Sequence, residues 1–210
     1  MKVAGGRRLQ LPAGKVMMDR GPEGLRDAGE DGIRERAELS ARWHGVDRLA
    51  YVISPRFALT SSEAQLAAAS ELLAAHPSCW LRTQLAESPG EIEAVRARFS
   101  WARDYTESYD RFGLLGRRAL LGHGVRLREK EWARLTETGS VAVLCPTSNL
   151  FLGSGLVDLG ALADPRRPVS PSGPTRAAAA PGRCCGPPRR FAASRGSLAE
   201  TGHRSTFFAR

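Results

Sequence analysis

From about residue 12 to residue 162 the chain alternates short apolar runs with helical patterns, and no other feature constrains its fold as strongly. Gly14–Met18, Leu49–Ile53, Trp80–Leu85, Arg118–Gly122 and Ser140–Cys145 read as strands. Between them, Pro22–Trp43, Ser62–Ala75, Glu91–Phe99 with Pro89 in its first turn, Tyr105–Leu115 and Arg128–Thr138 read as helical. Ser61 or Ser62 is placed to cap the second of these, and Leu66, Ala69, Leu72 and Leu73 give it an apolar stripe. Gly29 and Gly32 weaken the first, and Gly139 stops the last. An order of βαβαβαβαβ demands parallel strands joined by crossover helices. The expected fold is therefore α/β, either a doubly wound sheet or a (β/α)8 barrel.

The pattern stops near Ala163. Residues 163–210 are rich in Pro, Arg, Ala, Gly and Ser, without periodicity. Such a segment buries too little apolar surface to offset its ordering entropy, so a disordered tail is expected beside an ordered 1–162. The tail also explains the net charge of +9: it holds nine Arg against Asp164 and Glu200, leaving the body nearly neutral. A basic arm for nucleic acid is one reading of it, with affinity that falls steeply as salt rises. Cys79, Cys145 and the adjacent Cys184 and Cys185 have neither zinc-finger nor disulfide-framework spacing. No apolar run is long enough for a membrane span or a secretory signal, and a cytoplasmic location is expected.

In parallel α/β arrays, function collects at the C-terminal ends of the strands. Those positions carry Arg56 and Phe57, then Gln84 and Glu87, then His123, then Cys145-Pro146-Thr147-Ser148-Asn149. An arginine, an aromatic ring, a carboxylate and an imidazole on successive strand ends make a plausible polar site. Each also has a structural explanation. Arg56 can be a solvated surface residue and Phe57 a core residue. Glu87 can favour the dipole of the helix that begins near Pro89, and His123 can be a buried, hydrogen-bonded histidine.

Five separated strings resemble the guanine deaminase branch of the zinc amidohydrolases: AGKVMMDR at 13–20, RWHGVDRLAYVISPRFALTSS at 42–62, RTQLAESPGEIEAV at 82–95, SYDRFGLLGRRALLGHGVRL at 108–127 and ETGSVAVLCPTSNLFLGSGL at 137–156. The resemblance spans roughly residues 10–162. It implies part of a (β/α)8 barrel, about strands three to seven, and a zinc-activated water that attacks guanine to give xanthine and ammonia. It places the proton-shuttling glutamate at Glu87, the purine-contacting Arg-Phe pair at Arg56 and Phe57, and one zinc histidine at His123. It also exposes gaps. Gln84 occupies the position of a zinc histidine, Arg126 and Leu144 replace other histidines, and the first-strand His-x-His has no counterpart. Zinc, guanine or a related purine, and a homodimeric state are implied by the family, but one imidazole cannot hold a catalytic zinc.

The strand-eight aspartate is missing too. Read one nucleotide earlier, Ser170-Pro171-Ser172-Gly173-Pro174-Thr175 permits an apolar run followed by Gly-Thr-Asp, and Cys184-Cys185-Gly186-Pro187 permits Met-Leu-Arg-Thr. A one-nucleotide frameshift between about residues 163 and 169 would then account for the tail's composition. Three classes of function follow. The first is a guanine deaminase fragment that is inactive as written. The second is a non-catalytic interaction module or pseudogene product, whose half barrel could pair with another chain. The third, less favoured, is a nucleic-acid-binding tail.

Overall fold

A computed structural model of the protein describes residues 11–27 and 29–170. The strands are β1 (Leu11–Ala13), β2 (Val16–Met17), β3 (Leu49–Pro55), β4 (Trp80–Leu85), β5 (Ala119–His123), β6 (Val141–Val143) and β7 (Val169–Ser170). They form one sheet in the order β1-β3-β4-β5-β6-β7, with β2 also on β3, and every pairing is parallel. This is the α/β arrangement of a partial (β/α)8 barrel.

The β1 and β2 segments are one strand with a break. Leu11 pairs with Leu49 and Val16 with Ser54, so the same register runs through both. Gly14 lies in the break, and the reason is space: a Cβ there would stand 1.7 Å from the Val52 carbonyl oxygen. The strand expected at Gly14–Met18 thus begins earlier and is interrupted at that close approach.

The helices are α1 (Gly29–Trp43), α2 (Glu63–Ala75), α3 (Pro89–Arg98), α4 (Glu107–Asp110), α5 (Glu129–Thr138), α6 (Pro146–Phe151) and α7 (Leu159–Leu162). Ser62 caps α2 by accepting the Gln65 N–H at 3.1 Å, and Ser88 caps α3 by accepting that of Glu91 at 3.3 Å. Gly139 ends α5 at φ 71°, as expected of a C-terminal glycine. The first helix starts later than its periodicity suggests, because residues 20–26 turn around Gly21 and Gly24, both at positive φ. Asp27 then accepts the Met18 N–H at 2.8 Å and pairs with Arg36, which is buried. Arg36 also donates to the Val16 carbonyl at 2.6 Å, fastening α1 to β2. The helix expected over Tyr105–Leu115 shortens to α4, because Gly113 reverses the chain at φ 65°.

The core lies between the helices and one face of the sheet. Tyr51, Ile53, Leu81, Leu85, Ala119, Leu121 and Ala142 present that face, and Leu66, Ala69, Val95, Phe99, Trp132 and Leu135 cover it. Each large side chain so buried contributes roughly 1.5–3 kcal/mol. The segment expected to be disordered begins differently from that expectation: Val169–Ser170 pairs with β6 as a further strand. The remainder of the tail, with Cys184, Cys185 and most of its arginines, lies outside the described residues.

Candidate functional site

Arg56, Glu87 and His123 sit at the C-terminal ends of β3, β4 and β5, three neighbouring strands. The two strand ends that carry Glu87 and His123 turn through left-handed conformations at non-glycine residues, Ala86 at φ 49° and His123 at φ 74°. Each such residue costs on the order of 1–2 kcal/mol and persists only where its surroundings enforce it. Here the turns interlock. Gly124 N–H donates to the Leu85 carbonyl at 2.9 Å, and Arg126 N–H to the Ala86 carbonyl at 3.0 Å. The result aims the Glu87 carboxyl at the His123 ring, with Oε2 3.5 Å from Nε2.

His123 is buried, at 1% exposure. Its Nδ1 lies 2.7 Å from Asn149 Oδ1 in α6. The Asn149 oxygen can accept from Nδ1 in either form of the ring that carries a proton there. Nε2 has no hydrogen-bond partner among the described residues. The structural explanation of His123 is therefore half of the account: one nitrogen is satisfied, and the other points at a carboxylate it does not bond. Glu87 is held on its other oxygen by Ser154, whose hydroxyl donates to Oε1 at 3.0 Å.

Glu91 supports the same turn from below. Its Oε2 accepts the Glu87 N–H at 3.2 Å and its Oε1 the Tyr105 hydroxyl at 2.5 Å. Burial raises the Glu91 carboxyl above its ordinary range, and the Tyr105 hydrogen bond opposes this only in part. A carboxyl with a raised folded value retains a proton that the unfolded chain has lost, so its contribution to stability falls as pH rises above the ordinary 4.5. Relative to wild type, Glu91→Gln is expected to gain stability as pH rises above the ordinary 4.5. Urea midpoints of the two proteins as pH rises check this. A gap that is constant or runs the other way contradicts it.

Arg56 is exposed and lies over the half-buried Phe57 ring, 5.3 Å from its centroid. The pair joins the site through the backbone, because the Arg56 carbonyl accepts the Gln84 N–H at 3.3 Å. Tyr109 ties these ends together: its hydroxyl donates to the Gln84 carbonyl at 2.8 Å and accepts the Ala58 N–H at 2.9 Å. Gln84 is half-buried on the sheet face away from the helices, opposite Gly122. A cavity of about 410 Å³ lies at the other end of the strands, lined by Leu73, Leu115 and Arg118 among others, and holds none of these residues.

Asn149, Ser154, Glu91, Tyr105 and Tyr109 were not singled out for roles by sequence reasoning. Two carried a local signal: Glu91 stands one helical turn after Glu87, and Asn149 closes the Cys-Pro-Thr-Ser-Asn string at a strand end. The tyrosines lie in the segment whose helical period dissolves, so nothing local marks them. For a metal, the unpartnered His123 Nε2 fits one ligand position. No group of three His, Cys, Asp or Glu side chains that could hold an ion occurs among the described residues. The residues present do not fit a zinc ion.

A parallel partial barrel with polar side chains gathered on its C-terminal strand ends is the architecture of the (β/α)8-barrel class. No family model matches the chain. Guanine deaminase of Escherichia coli K12 is 45% identical over 152 residues, covering 72% of this chain and 35% of that protein. The probable guanine deaminase of Deinococcus radiodurans is 39% identical over 158 residues, covering 74% and 36%. Among solved structures, the E. coli guanine deaminase superposes with a TM-score of 0.77 at 42% identity, over 80% of this chain and 40% of that one. The enzyme from Bradyrhizobium japonicum gives 0.77 at 38% identity, over 80% and 36%. The chain is a guanine deaminase homologue, and it spans about a third of the length of the curated relatives it matches. No helix among the described residues is long and apolar enough to cross a membrane.

Proposed function

We propose that this chain carries the purine-recognition and proton-transfer portion of a cytoplasmic guanine aminohydrolase, and that by itself it does not turn guanine into xanthine and ammonia. The observation that carries the reading is the Glu87–His123 contact at 3.5 Å; in this reading Gln84 takes the place of a family metal ligand. In this reading Glu87 moves the proton. Its carboxyl is oriented on one oxygen by Ser154 and left open on the other. Arg56 donates to the purine carbonyl and the Phe57 ring stacks on the base, roles that suit a donor-only guanidinium and an aromatic face. His123 Nε2 is the one metal-binding atom retained, too few for zinc.

The test is made on the purified 210-residue chain. Metal analysis is expected to find no stoichiometric zinc, and incubation with guanine and added zinc to form no xanthine above the enzyme-free control. Calorimetry is expected to show weak guanine binding that Arg56→Ala abolishes. Stoichiometric zinc together with xanthine formation that Glu87→Gln removes would overturn the inactive reading. Guanine binding unaffected by Arg56→Ala would overturn the recognition role.

A further inference from the structure

Four polar groups at the ends of β3, β4 and β5 have hydrogen-bonding capacity that the described residues leave unused. His123 Nε2 has no partner, although the ring is 1% exposed. Glu87 Oε2 faces that nitrogen at 3.5 Å, while Ser154 holds the other carboxyl oxygen. The Arg56 guanidinium has five N–H groups and directs one at the Met18 sulfur, a weak acceptor, at 3.4 Å. The fourth is the half-buried Gln84 carboxamide, which makes no hydrogen bond among the described residues. Its backbone, by contrast, is fixed on both sides: the N–H donates to the Arg56 carbonyl at 3.3 Å, and the carbonyl accepts the Tyr109 hydroxyl at 2.8 Å. Across from it on β5 stands Gly122, which brings no side chain, and His123 is the next residue of that strand.

A carboxamide presents an acceptor and a donor side by side. Its complement is an amide edge, an N–H beside a C=O. A 6-oxopurine carries that edge at its ring N1–H and its carbonyl. The carbonyl oxygen has two lone pairs, so it can take an N–H from Gln84 as well as one from Arg56, while the ring N–H donates to the Gln84 oxygen. Turned over, the same carboxamide also matches the edge of adenine. The adenine amino group would then face Arg56, donor against donor, and that clash rejects it.

We infer that Gln84 reads the base: its carboxamide bonds the amide edge of a 6-oxopurine and, with Arg56, selects guanine over adenine. The inference rests on the purine reading of the site proposed above. It does not depend on turnover, since binding alone is claimed. It gives Gln84, which is a poor metal ligand, a contact of its own with the bound molecule.

The experiment measures binding of guanine, 1-methylguanine and adenine to the full 210-residue chain by calorimetry. Wild type is expected to bind 1-methylguanine, which lacks the ring N1–H, about fivefold or more weakly than guanine, and adenine about tenfold or more weakly. Gln84→Ala is expected to weaken guanine by about fivefold or more and to bring guanine and 1-methylguanine within about twofold of each other. A residue that only supported the fold would weaken both ligands alike and preserve the gap between them. Arg82→Ala, two residues earlier on the same strand and exposed, is expected to leave guanine affinity unchanged. Thermal midpoints of both variants control for folding. Equal binding of guanine and 1-methylguanine by wild type overturns the inference, as does a gap that survives Gln84→Ala. In either case guanine binding that depends on Arg56 leaves the purine reading standing. Absence of guanine binding by wild type overturns both.

Discussion

The Tyr109→Phe protein is expected to be about 2–4 kcal/mol less stable than wild type, although it loses a single oxygen atom. Tyr109 is fully buried, and its ring packs 5.8 Å from that of Tyr105. Burial holds the phenol well above its ordinary titration range, so it stays neutral and acts only through hydrogen bonds. Its hydroxyl serves three groups: the Ala58 N–H at 2.9 Å, the Thr83 hydroxyl at 3.1 Å and the Gln84 carbonyl at 2.8 Å. Phenylalanine fills the same volume and leaves the Ala58 and Gln84 backbone groups without a partner, and an unmet buried polar group costs about 1–3 kcal/mol. The damage falls between the ends of β3 and β4, where Arg56 and Gln84 stand. Urea unfolding gives the energy, and amide exchange at Ala58 should accelerate beyond that of residues in α5. A loss below about 0.5 kcal/mol would mean that water replaces the hydroxyl.

Gly14→Ala is expected to cost on the order of 3 kcal/mol or more, the upper end of overpacking effects. The added Cβ would meet the Val52 carbonyl oxygen at 1.7 Å and its carbon at 2.8 Å. Both are backbone atoms in the middle of β3, so no rotamer change relieves the clash. The strand formed by β1 and β2 must part from β3, and that strand also carries the Val16 carbonyl to which Arg36 is bound. Thermal unfolding of the variant and wild type measures the loss. The separation should also release Arg36, and combining Gly14→Ala with Arg36→Leu should then cost less than the sum of the single changes. Full additivity would show that the two contacts act independently.

The order of elements, the parallel sheet and the family are all legible in the residues. Those follow from short-range facts: apolar period, a serine cap at 61 or 62, a glycine stop at 139, and strings that match relatives over most of the body. The sequence also put Arg56, Glu87 and His123 on successive strand ends, because parallel alternation fixes which end of each strand is which. How those residues meet depends on contacts between separate elements. The Glu87–His123 approach depends on left-handed turns at Ala86 and His123, conformations that neither residue favours and that hydrogen bonds from distant positions enforce. The tyrosine supports at 105 and 109 and the break at Gly14 were likewise invisible, because each answers to an atom 14 or more residues away in the chain. A period of two marks which strand residues share a face, and packing alone decides which face the helices cover.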